Sequence, residues 1–495
     1  MPAITETYIK SAQLFPDKIA IETGTEKISY RLWSNLVNQT ANWLDSLKLS
    51  NQTLGMLLPN GASFLQLFTG AATAGWTSVL FDMKWTEVEL QNRLTLSGPS
   101  ILVTTSELYP KVKHLHPAVL LWEDCLQEIK HASINRSTVA EGNLPFYMGF
   151  TSGTTGQPKA FIRSHNSWVA SFDCSRIDFQ LNEDDHVVIP GALIHSHFLY
   201  GAISTLYLGG SIYLPEKFSP AKTLSLIESQ SITAVYVVPT MIAALLAKGQ
   251  SVDKPIKILS SGAKWEEHSK QQIQRMFPRF SMYEFYGASE LSFVTVLTDK
   301  DNIRKPGSVG RPCHQVEIEI RRSNSELAQP NEPGKIFVKS KMVFLGYLDK
   351  NEASDHTGHR RIHYIYDENG WITVDDMGYL DEDGFLYLSG REKNMILYGA
   401  INIFPEEIEK VISAHPNVEE VAVIGIDDPY WGQVAAAVVK GTTSKIELKR
   451  FCRQHLSSFK IPRLWFFIEE MPYTTSGKIA RPQVKEFIES KVTNH

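Results

Sequence analysis

One stretch of ten residues carries the residue types of a phosphate-binding loop. It runs from Phe150 to Lys159 as Phe-Thr-Ser-Gly-Thr-Thr-Gly-Gln-Pro-Lys, and eight of its residues are Thr, Ser, Gly, Pro or Lys. Such a run leaves backbone N–H groups free to point outward among hydroxyls and a lysine charge, which suits phosphate oxygens. The alternative is a flexible surface loop, because short Gly-rich motifs often match by chance.

The stretch differs from the common P-loop. In that loop lysine follows glycine directly, and the next residue carries a hydroxyl that binds magnesium. Here a Gln-Pro pair separates Gly156 from Lys159, and Ala160 follows the lysine. We therefore expect a magnesium ion, if one binds, to be held from elsewhere in the chain.

A second stretch places an aromatic ring, a glycine, a hydroxyl and a carboxylate side by side. Its residues are Tyr286, Gly287, Ala288, Ser289 and Glu290. An aromatic ring can stack on a purine base. A carboxylate such as Glu290 is a hard oxygen ligand of the kind that magnesium prefers. The alternative interpretation is a turn that ends in a solvated glutamate.

Two further stretches carry charged groups on predicted turns. Asp375 and Asp376 lie within Gly-Trp-Ile-Thr-Val-Asp-Asp-Met-Gly, residues 370–378. Lys478 lies in a loop of small residues just before a predicted helix at 481–491. Taken alone, the first stretch is a hairpin corner with solvated carboxylates, and the second is an exposed lysine.

The elements that must position these residues alternate between strand and helix. Short apolar strand candidates are separated by helical patterns over residues 1–145 and again over 185–276. This alternation predicts two α/β layers built on parallel strands. A strand candidate at 146–150 precedes the phosphate-binding stretch, so we expect that stretch at the carboxyl end of a strand, where open α/β sheets bind ligands.

The remaining chain predicts two smaller sheets. From 307 to 390 the strands are short and the turns frequent, which favours a small antiparallel, β-barrel-like sheet. Residues 391–495 predict a compact α+β unit. The fold class is therefore α/β, with a large N-terminal domain over 1–390 that contains two α/β subdomains and the small sheet, followed by a small α+β C-terminal domain.

Composition excludes several other classes of protein. The 495 residues carry a net charge of −5, which offers no basic stripe for nucleic acid. The four cysteines form no C-x-x-C pattern, so we expect neither a zinc site nor a redox pair, and reduced thiols favour a cytoplasmic location. The start of the chain lacks the features of a signal peptide. The apolar stretch 64–81 contains glycines and threonines, so we expect a buried helix and strand there and no stable membrane insertion.

Together the motifs resemble those of the adenylate-forming superfamily, which includes acyl-CoA synthetases, luciferases and the adenylation domains of peptide synthetases. Residues 150–159 resemble its phosphate-binding signature, 286–290 its Tyr-Gly-x-[Ser/Thr]-Glu motif, and 370–378 its Thr-Gly-Asp-Leu-Gly stretch. Residues 389–396 resemble the hinge between its two domains. The matches occur in family order from about residue 146 to residue 481, so the resemblance covers nearly the whole chain.

The resemblance implies an ATP site with magnesium. The loop residues that would hold the phosphates are Thr151, Ser152, Gly153, Thr154, Thr155, Gly156 and Lys159. Tyr286, with its neighbours 287–289, would pack on adenine, and Glu290 would bind the metal together with Thr155. Thr151 would also help to neutralise charge during the reaction.

The resemblance also assigns roles near the domain boundary. Asp376 would take the ribose hydroxyls, and Arg391 would reach the ribose or a phosphate. Asp375 stands where the family usually has glycine. The small domain would be mobile and would turn about a hinge near Asn394, where relatives usually have Asp or Lys.

The C-terminal region would carry both the adenylation lysine and the CoA site. Lys478 corresponds to the catalytic lysine of adenylation. Gly399, in a Tyr-Gly-Ala run where many relatives have Gly-Gly-Glu, would let a pantetheine arm pass. Trp431 and Phe459 stand where relatives can place aromatic rings against the CoA nucleotide, although both can equally be surface-anchored core residues.

The sequence contains few signals for the acid-binding pocket. The segment around His195 resembles the CoA-ligase version, in which this histidine borders the carboxylate pocket; the alternative is a core histidine bonded to backbone. The pocket candidates are His195, His197, Gly262, Ala263, Lys264 and Trp265. We place a fatty or other aliphatic acid first on family frequency, and an aryl or dicarboxylic acid as the alternative.

The predicted function is that of an ATP-dependent acid–thiol ligase with catalytic residues Lys478, Glu290, Thr151 and His195. It would convert a small-molecule carboxylic acid into acyl-AMP and pyrophosphate, then pass the acyl group to CoA. An alternative acceptor is a free-standing acyl carrier protein. A catalytically silent nucleotide-binding relative is a third possibility, against which the intact charged residues argue.

Overall fold

The computed structural model describes residues 3–136, 140–152, 158–262, 267–348, 362–398, 401–428, 431–474 and 478–492. These residues form two compact units. The larger unit takes its residues from 3–318 and 338–372, and the smaller unit from 319–337 and 373–492. The domain boundary at 390/391 and the hinge near Asn394 stay predictions.

The first part of the chain alternates between helices and strands. Its strands are β1 (Ile19–Glu22), β2 (Lys27–Ser29), β3 (Thr53–Leu57), β4 (Thr77–Leu80), β5 (Ile101–Thr104), β6 (Val119–Leu121) and β7 (Pro145–Ser152). Its helices are α1 (Thr7–Leu14), α2 (Tyr30–Ser46), α3 (Ala62–Thr73), α4 (Glu87–Ser97), α5 (Tyr109–Val112) and α6 (Trp122–Ile129).

The middle of the chain repeats this alternation. Its strands are β8 (Pro158–Ser164), β9 (His186–Val188), β10 (Ser211–Tyr213), β11 (Ala234–Val237), β12 (Ile256–Ser260), β13 (Phe280–Ala288), β14 (Ser292–Thr298) and β15 (Arg311–Pro312). Its helices are α7 (His165–Ile177), α8 (Ser196–Leu208), α9 (Pro220–Ser229), α10 (Pro239–Leu246), α11 (Glu267–Met276) and α12 (Asp299–Arg304).

The last part is richer in strands. They are β16 (Glu317–Arg321), β17 (Gly334–Lys339), β18 (Gly346–Leu348), β19 (Ile362–His363), β20 (Asp376–Leu380), β21 (Leu386–Arg391), β22 (Ile396–Tyr398), β23 (Ile401–Ile403), β24 (Val418–Asp428), β25 (Gly432–Gly441) and β26 (Leu464–Phe467). The helices are α13 (Pro405–Ser413), α14 (Lys445–His455) and α15 (Arg481–Val492), with 3₁₀ turns at Glu392–Asn394 and Ser458–Lys460.

Two large sheets organise the larger unit. One has eight strands in the order β19-β18-β8-β7-β4-β3-β5-β6, and the other has nine in the order β15-β14-β13-β12-β11-β9-β10-β1-β2. The run from β7 to β6 is parallel, as is the run from β13 to β1. The predicted α/β class is confirmed. One detail of the two predicted layers is wrong, because β1 pairs with β10 and so joins the second sheet.

The predicted buried helix and strand at 64–81 are confirmed as α3 and β4. Eleven residues of α3 are buried, including Phe64, Leu65 and Phe68. No helix in the part of the chain that the structure describes is both long and apolar enough to span a bilayer. The hydrophobic character of this stretch therefore reflects its place between other layers of the larger unit.

Helix ends follow local sequence signals. Thr86 and Glu89 form a reciprocal capping box at the start of α4, and Gly98 ends that helix in the left-handed conformation. Ser219 caps α9, whose first residue is Pro220. The Ser-Pro pair thus defines where this helix begins.

Two smaller sheets occupy the rest of the chain. Strands β16-β17-β20-β21 form a four-stranded sheet, with antiparallel pairing of β17 with β20 and of β20 with β21. The small sheet predicted over 307–390 is thus confirmed in part. Strands β18 and β19 leave it, since β18 pairs antiparallel with β8 and extends the eight-stranded sheet.

The five-stranded sheet of the smaller unit has order β23-β22-β25-β24, with β26 alongside β25. Alternate residues of β24 face two hydrophobic layers. Val421 and Val423 pack in one cluster with α13 and α14, whereas Ala422 and Ile424 pack in the other with α15. The period of two expected of a strand therefore buries both faces of this sheet.

Candidate active site

The phosphate-binding stretch connects two antiparallel strands. It leaves the carboxyl end of β7, which runs parallel to β4, and the chain returns along β8. Thr151 pairs with Lys159 across this hairpin. Gly153, Thr154, Thr155 and Gly156 lie outside the described residues, as does the side chain of Ser152. The predicted position at the carboxyl end of a strand is confirmed.

Lys159 and Glu290 are brought to the same neighbourhood by Tyr347. The Lys159 ammonium lies 5.0 Å from the centre of the Tyr347 ring. The Tyr347 hydroxyl donates to Glu290 Oε1 at 2.8 Å. No motif in the sequence points to Tyr347, which is 57 residues from its glutamate partner. The only signal for it was an aromatic residue after a glycine in a short strand.

The second motif forms the hairpin between β13 and β14. Tyr286 pairs with Thr295, and the register shifts between Tyr286 and Gly287. A Cβ on Gly287 would lie 1.9 Å from the Ser292 carbonyl oxygen, so no larger residue fits at that position. The glycine therefore allows the two strands to approach closely just before the glutamate.

Glu290 is held on a short turn after this hairpin. It is 7% exposed, and its carbonyl oxygen accepts from Phe344 N at 2.8 Å. Among the described residues, Oε1 accepts one hydrogen bond, from Tyr347, and Oε2 accepts none. The carboxylate thus keeps ligand capacity after its protein contacts are made.

This donor set suits magnesium better than a metal that needs an all-protein cage. No group of three or more His, Cys, Asp or Glu ligands occurs within the described ranges. Magnesium is commonly bound by one or two carboxylates together with substrate phosphates and water. Glu290, close to the start of β8 through Tyr347, supplies one carboxylate of this kind. Thr155 lies outside the described residues.

The two histidines of the predicted acid pocket differ in environment. His197, in α8, donates from Nε2 to the Val237 carbonyl oxygen at 3.0 Å, while its buried Nδ1 finds no partner among the described residues. Burial lowers the pKa of His197 to about 4, against the opposing effect of the Val237 hydrogen bond. His197 is therefore neutral near pH 7.

His195 directly precedes α8, and its side chain is exposed to solvent. The protein that surrounds its ring nevertheless lowers the pKa of His195 by desolvation. Asp82 opposes this shift in the pKa, and Lys84 adds to it. Gly262 follows β12 with φ +96°. Ala263, Lys264 and Trp265 lie outside the described residues.

In the smaller unit, Asp376 and Arg391 face each other across β20 and β21. Arg391 Nε donates to Asp376 Oδ1 at 2.9 Å, and Asp376 is buried. Asp375, which replaces the family's usual glycine, has φ +63°. That left-handed conformation favours glycine and is tolerated by Asp and Asn. The departure from the family pattern is therefore compatible with the same backbone.

Asn394 ends a 3₁₀ turn that follows β21. Its side-chain amide donates to Glu406 Oε1 at 3.0 Å. Glu392, at the start of the turn, pairs with Lys335 at 2.6 Å. Gly399 lies outside the described residues. Asn394 thus connects the predicted hinge to the first turn of α13.

Trp431 belongs to a stack of three side chains. Its ring lies 4.4 Å from that of Tyr398 with an interplanar angle of 12°. Arg463 lies over both rings, 5.4 Å from the Trp431 centroid, and donates to the Tyr398 hydroxyl at 3.0 Å. Phe459 packs against the hydrophobic core of this unit. Arg463 was not predictable from the sequence, because its partners are distant along the chain.

Lys478 is exposed and lies three residues before α15. Its backbone N donates to Thr474 Oγ1 at 3.2 Å, and its carbonyl oxygen accepts from Thr474 N at 2.7 Å. Arg481, the first residue of α15, forms an ion pair with Glu409 at 2.7 Å. These contacts attach both sides of the lysine to the smaller unit.

Comparisons with known proteins agree with this architecture. The model of the AMP-binding enzyme family matches residues 9–348, and that of the AMP-binding enzyme C-terminal domain matches 407–478. The chain is 48% identical over 489 residues to an uncharacterized acyl-CoA ligase, YhfT, of Bacillus subtilis (strain 168), covering 99% of each chain. It is 30% identical over 478 residues to the 2-succinylbenzoate–CoA ligase of Bacillus licheniformis, covering 95% of this chain and 97% of that protein.

Solved structures show the same likeness. The o-succinylbenzoate CoA synthetase MenE of Bacillus subtilis, in complex with the acyl-adenylate intermediate OSB-AMP, has a TM-score of 0.86 at 27% identity over 98% of each chain. The same enzyme with ATP and a magnesium ion has a TM-score of 0.87 at 26% identity, covering 98% of this chain and 99% of that one. The chain belongs to the AMP-binding enzyme family, within the AMP-forming acyl-CoA ligases.

Proposed function

We propose that this enzyme uses ATP and magnesium to convert a carboxylic acid into an acyl-adenylate, and then transfers the acyl group to CoA. The observation that carries the proposal is the grouping of Lys159, Tyr347 and Glu290 beside the phosphate-binding stretch, in a chain of this family. It provides a cation for phosphate and a carboxylate for magnesium within the larger unit.

The first half-reaction joins two anions, so its site must neutralise charge as the acid oxygen attacks the α-phosphate and pyrophosphate leaves. Thr151 and Lys159 provide a hydroxyl and a positive charge at the two ends of the phosphate-binding stretch. Glu290 would hold magnesium, and the bound ion would supply Lewis-acid stabilisation of the leaving pyrophosphate. Lys478 neutralises the developing charge on the α-phosphate. His195 borders the acid.

The adenosine contacts come from two places in the sequence. Tyr286 and its neighbours 287–289 pack against the base, and Gly287 lets β13 and β14 approach closely beside Tyr286. Asp376 accepts from the ribose hydroxyls, and Arg391 reaches the ribose or a phosphate. The Arg391–Asp376 ion pair orients the carboxylate for that role.

The second half-reaction transfers the acyl group to the thiol of CoA, with AMP as the leaving group. Gly399 lets the pantetheine arm pass, and Trp431 offers an aromatic surface for the CoA nucleotide. We propose that the small domain turns near Asn394 between the two half-reactions, so that Lys478 serves only the first. The relatives named above are CoA ligases and lend no support to a carrier-protein acceptor.

The acid has two candidate classes. A fatty or other aliphatic acid follows from family frequency. An aryl or dicarboxylic acid is favoured by the likeness to 2-succinylbenzoate–CoA ligases along 95% of this chain. His197 is neutral and contacts Tyr236 and Phe285 with ring centroids 5.3 and 5.5 Å away, so it provides an uncharged wall for either class.

Pyrophosphate release tests the proposal. The enzyme is supplied with ATP and magnesium over a panel of aliphatic, aryl and dicarboxylic acids, including 2-succinylbenzoate, with and without CoA. We expect one class of acid to stimulate release, CoA to accelerate it, and Lys478→Ala to slow it by about 100-fold or more. Release that CoA does not change would indicate a carrier-protein acceptor. If no acid in the panel stimulates release, either the substrate lies outside the panel or the chain is the catalytically silent relative, and ATP binding measured by calorimetry separates these two outcomes.

A further inference from the structure

Arg163 is a buried cation in the strand that follows the phosphate-binding stretch. It lies in β8, four residues after Lys159, and is 1% exposed. Because the strand period is two, Arg163 and Lys159 lie on the same face of β8, about 13 Å apart along the strand. Arginine is rarely buried to this extent unless its donors are paired. The hydrogen-bond partners of Arg163 therefore indicate which part of the structure the buried guanidinium stabilises.

The partners of Arg163 flank the metal-binding glutamate. Nη1 donates to the Ser289 carbonyl oxygen at 2.9 Å. Nη2 donates to Ser292 Oγ and to the Met342 carbonyl oxygen, each at 2.5 Å. The planar guanidinium thus forms hydrogen bonds to the turn on both sides of Glu290 and links this turn to Met342. A single lysine ammonium lacks this fork of donors.

The turn that Arg163 holds is conformationally unusual. Ser292 has φ +61°, which is uncommon for a residue other than glycine, and its carbonyl oxygen closely approaches Gly287. Such a conformation persists when surrounding contacts specify it. Arg163 supplies two of these contacts, and Phe344 N supplies a third through the Glu290 carbonyl oxygen.

Arg163 also balances charge without using the glutamate's ligand oxygens. Glu290 is among the groups whose field acts on Arg163, yet no ion pair joins the two side chains in the described residues. Glu290 Oε1 is bonded to Tyr347 instead. The guanidinium therefore stabilises a buried carboxylate without bonding to its oxygens, and Oε2 accepts no hydrogen bond from the described residues.

We propose that Arg163 is the positioning residue for the magnesium carboxylate: it fixes the 289–292 turn so that Glu290 presents Oε2 to the metal. This inference rests on the proposed role of Glu290 in binding magnesium. Outer contacts that orient a metal ligand commonly change metal affinity by about 10- to 100-fold when removed. Arg163→Met should therefore weaken the magnesium-dependent part of ATP binding by about tenfold or more.

Calorimetry provides a readout that does not depend on turnover. ATP is titrated into each variant in EDTA and in excess magnesium. The magnesium ratio, defined as the dissociation constant in EDTA divided by that in magnesium, measures how much magnesium strengthens ATP binding. We expect this ratio to fall about tenfold in Arg163→Met and by a smaller factor in Arg163→Lys, which keeps the charge but not the fork. Ser292→Ala, which removes one acceptor and keeps Arg163, should also lower it, and this milder variant preserves the test if Arg163→Met does not fold.

Arg136 provides a matched control. Its side chain is 7% exposed and pairs with Asp45 of α2 at 2.6 Å, so Arg136→Met also removes a buried arginine from the larger unit. It should leave the magnesium ratio at the wild-type value. A wild-type ratio in both Arg163→Met and Ser292→Ala, alongside a lowered ratio in Glu290→Gln, would overturn the inference and leave the proposed function intact. A wild-type ratio in Glu290→Gln would overturn both.

Discussion

His197 gives a pH dependence of stability that can be worked out from the structure. Its Nε2 donates to the Val237 carbonyl oxygen, so the neutral ring carries its proton on that nitrogen. A second proton would have to go on Nδ1, which is buried and has no acceptor among the described residues. The folded protein therefore resists protonation of this ring, and its pKa falls to about 4.

The sign follows from comparison with the unfolded chain, in which a histidine has a pKa of about 6.5. Between these two values the unfolded state binds the proton and the folded state does not, so stability is lost as the pH falls through 6.5 and the loss levels off near 4. For pKa values of about 4 and 6.5, the loss between pH 7.5 and pH 5 is about 2 kcal/mol.

The perturbation is His197→Gln, since the glutamine amide can replace the Nε2–H donor to Val237 and does not titrate. The free energy of unfolding of both proteins is measured by urea titration at pH 7.5 and at pH 5. We expect the stability advantage of wild type over the variant to shrink by about 2 kcal/mol on acidification. Contributions from other groups, including the buried His165, are common to both proteins and cancel.

His131→Gln, at an exposed histidine, is the matched control. The same histidine-to-glutamine change is made there at the surface and leaves the buried His197 ring in place, so this variant should preserve the wild-type pH dependence. If the difference between wild type and His197→Gln stays constant within about 0.5 kcal/mol over this range, then the ring is not held neutral by burial, and the assigned environment of His197 is wrong.

Three further substitutions test separate parts of the account. Lys478→Ala should slow acyl-adenylate formation by about 100- to 1,000-fold but spare thioester formation from preformed acyl-AMP, as quenched-flow assays of each half-reaction would show. Gly399→Trp should block thioester formation while acid-dependent pyrophosphate release continues, because the added ring fills the path of pantetheine. Lys270→Met should cost about 3–5 kcal/mol in urea titrations, because Lys270 pairs with buried Glu284 at 2.7 Å and donates to Asn302.

For each of these three substitutions, one result would contradict the prediction. Equal loss of both half-reactions in Lys478→Ala would contradict the separation of roles. Normal thioester formation in Gly399→Trp would refute the pantetheine path. For the buried pair, Lys270→Met/Glu284→Gln should recover part of the loss, since no uncompensated charge then remains. A double variant less stable than the single one would show that the charge pair is not the cause.

Local patterns in this sequence predict helices and strands well where the signals lie close together. Ser219 and Pro220 define the start of α9, and the apolar run 234–238 predicts β11 to within one residue. The position of the phosphate-binding stretch after β7 was also predictable, because a strand pattern directly precedes it. These features depend on neighbouring residues and on the periods of helix and strand.

Long-range contacts were not predictable in the same way. Nothing in the sequence links Tyr347 to Glu290, or Arg163 to the 289–292 turn, since each depends on which strands become neighbours. The pairing of β1 with β10 has the same origin. Asp375 shows the converse case: the missing glycine looked like a departure, and only its φ of +63° shows that aspartate keeps the backbone conformation.

The products of one complete turnover test the central claim most directly. The enzyme is incubated with ATP, magnesium, CoA and the acid that best stimulates pyrophosphate release, and the products are quantified by mass spectrometry. We predict AMP, pyrophosphate and acyl-CoA in equal amounts, with acyl-AMP accumulating when CoA is withheld. Formation of ADP and phosphate, or of acyl-CoA without AMP, would contradict an adenylate-forming acid–thiol ligase.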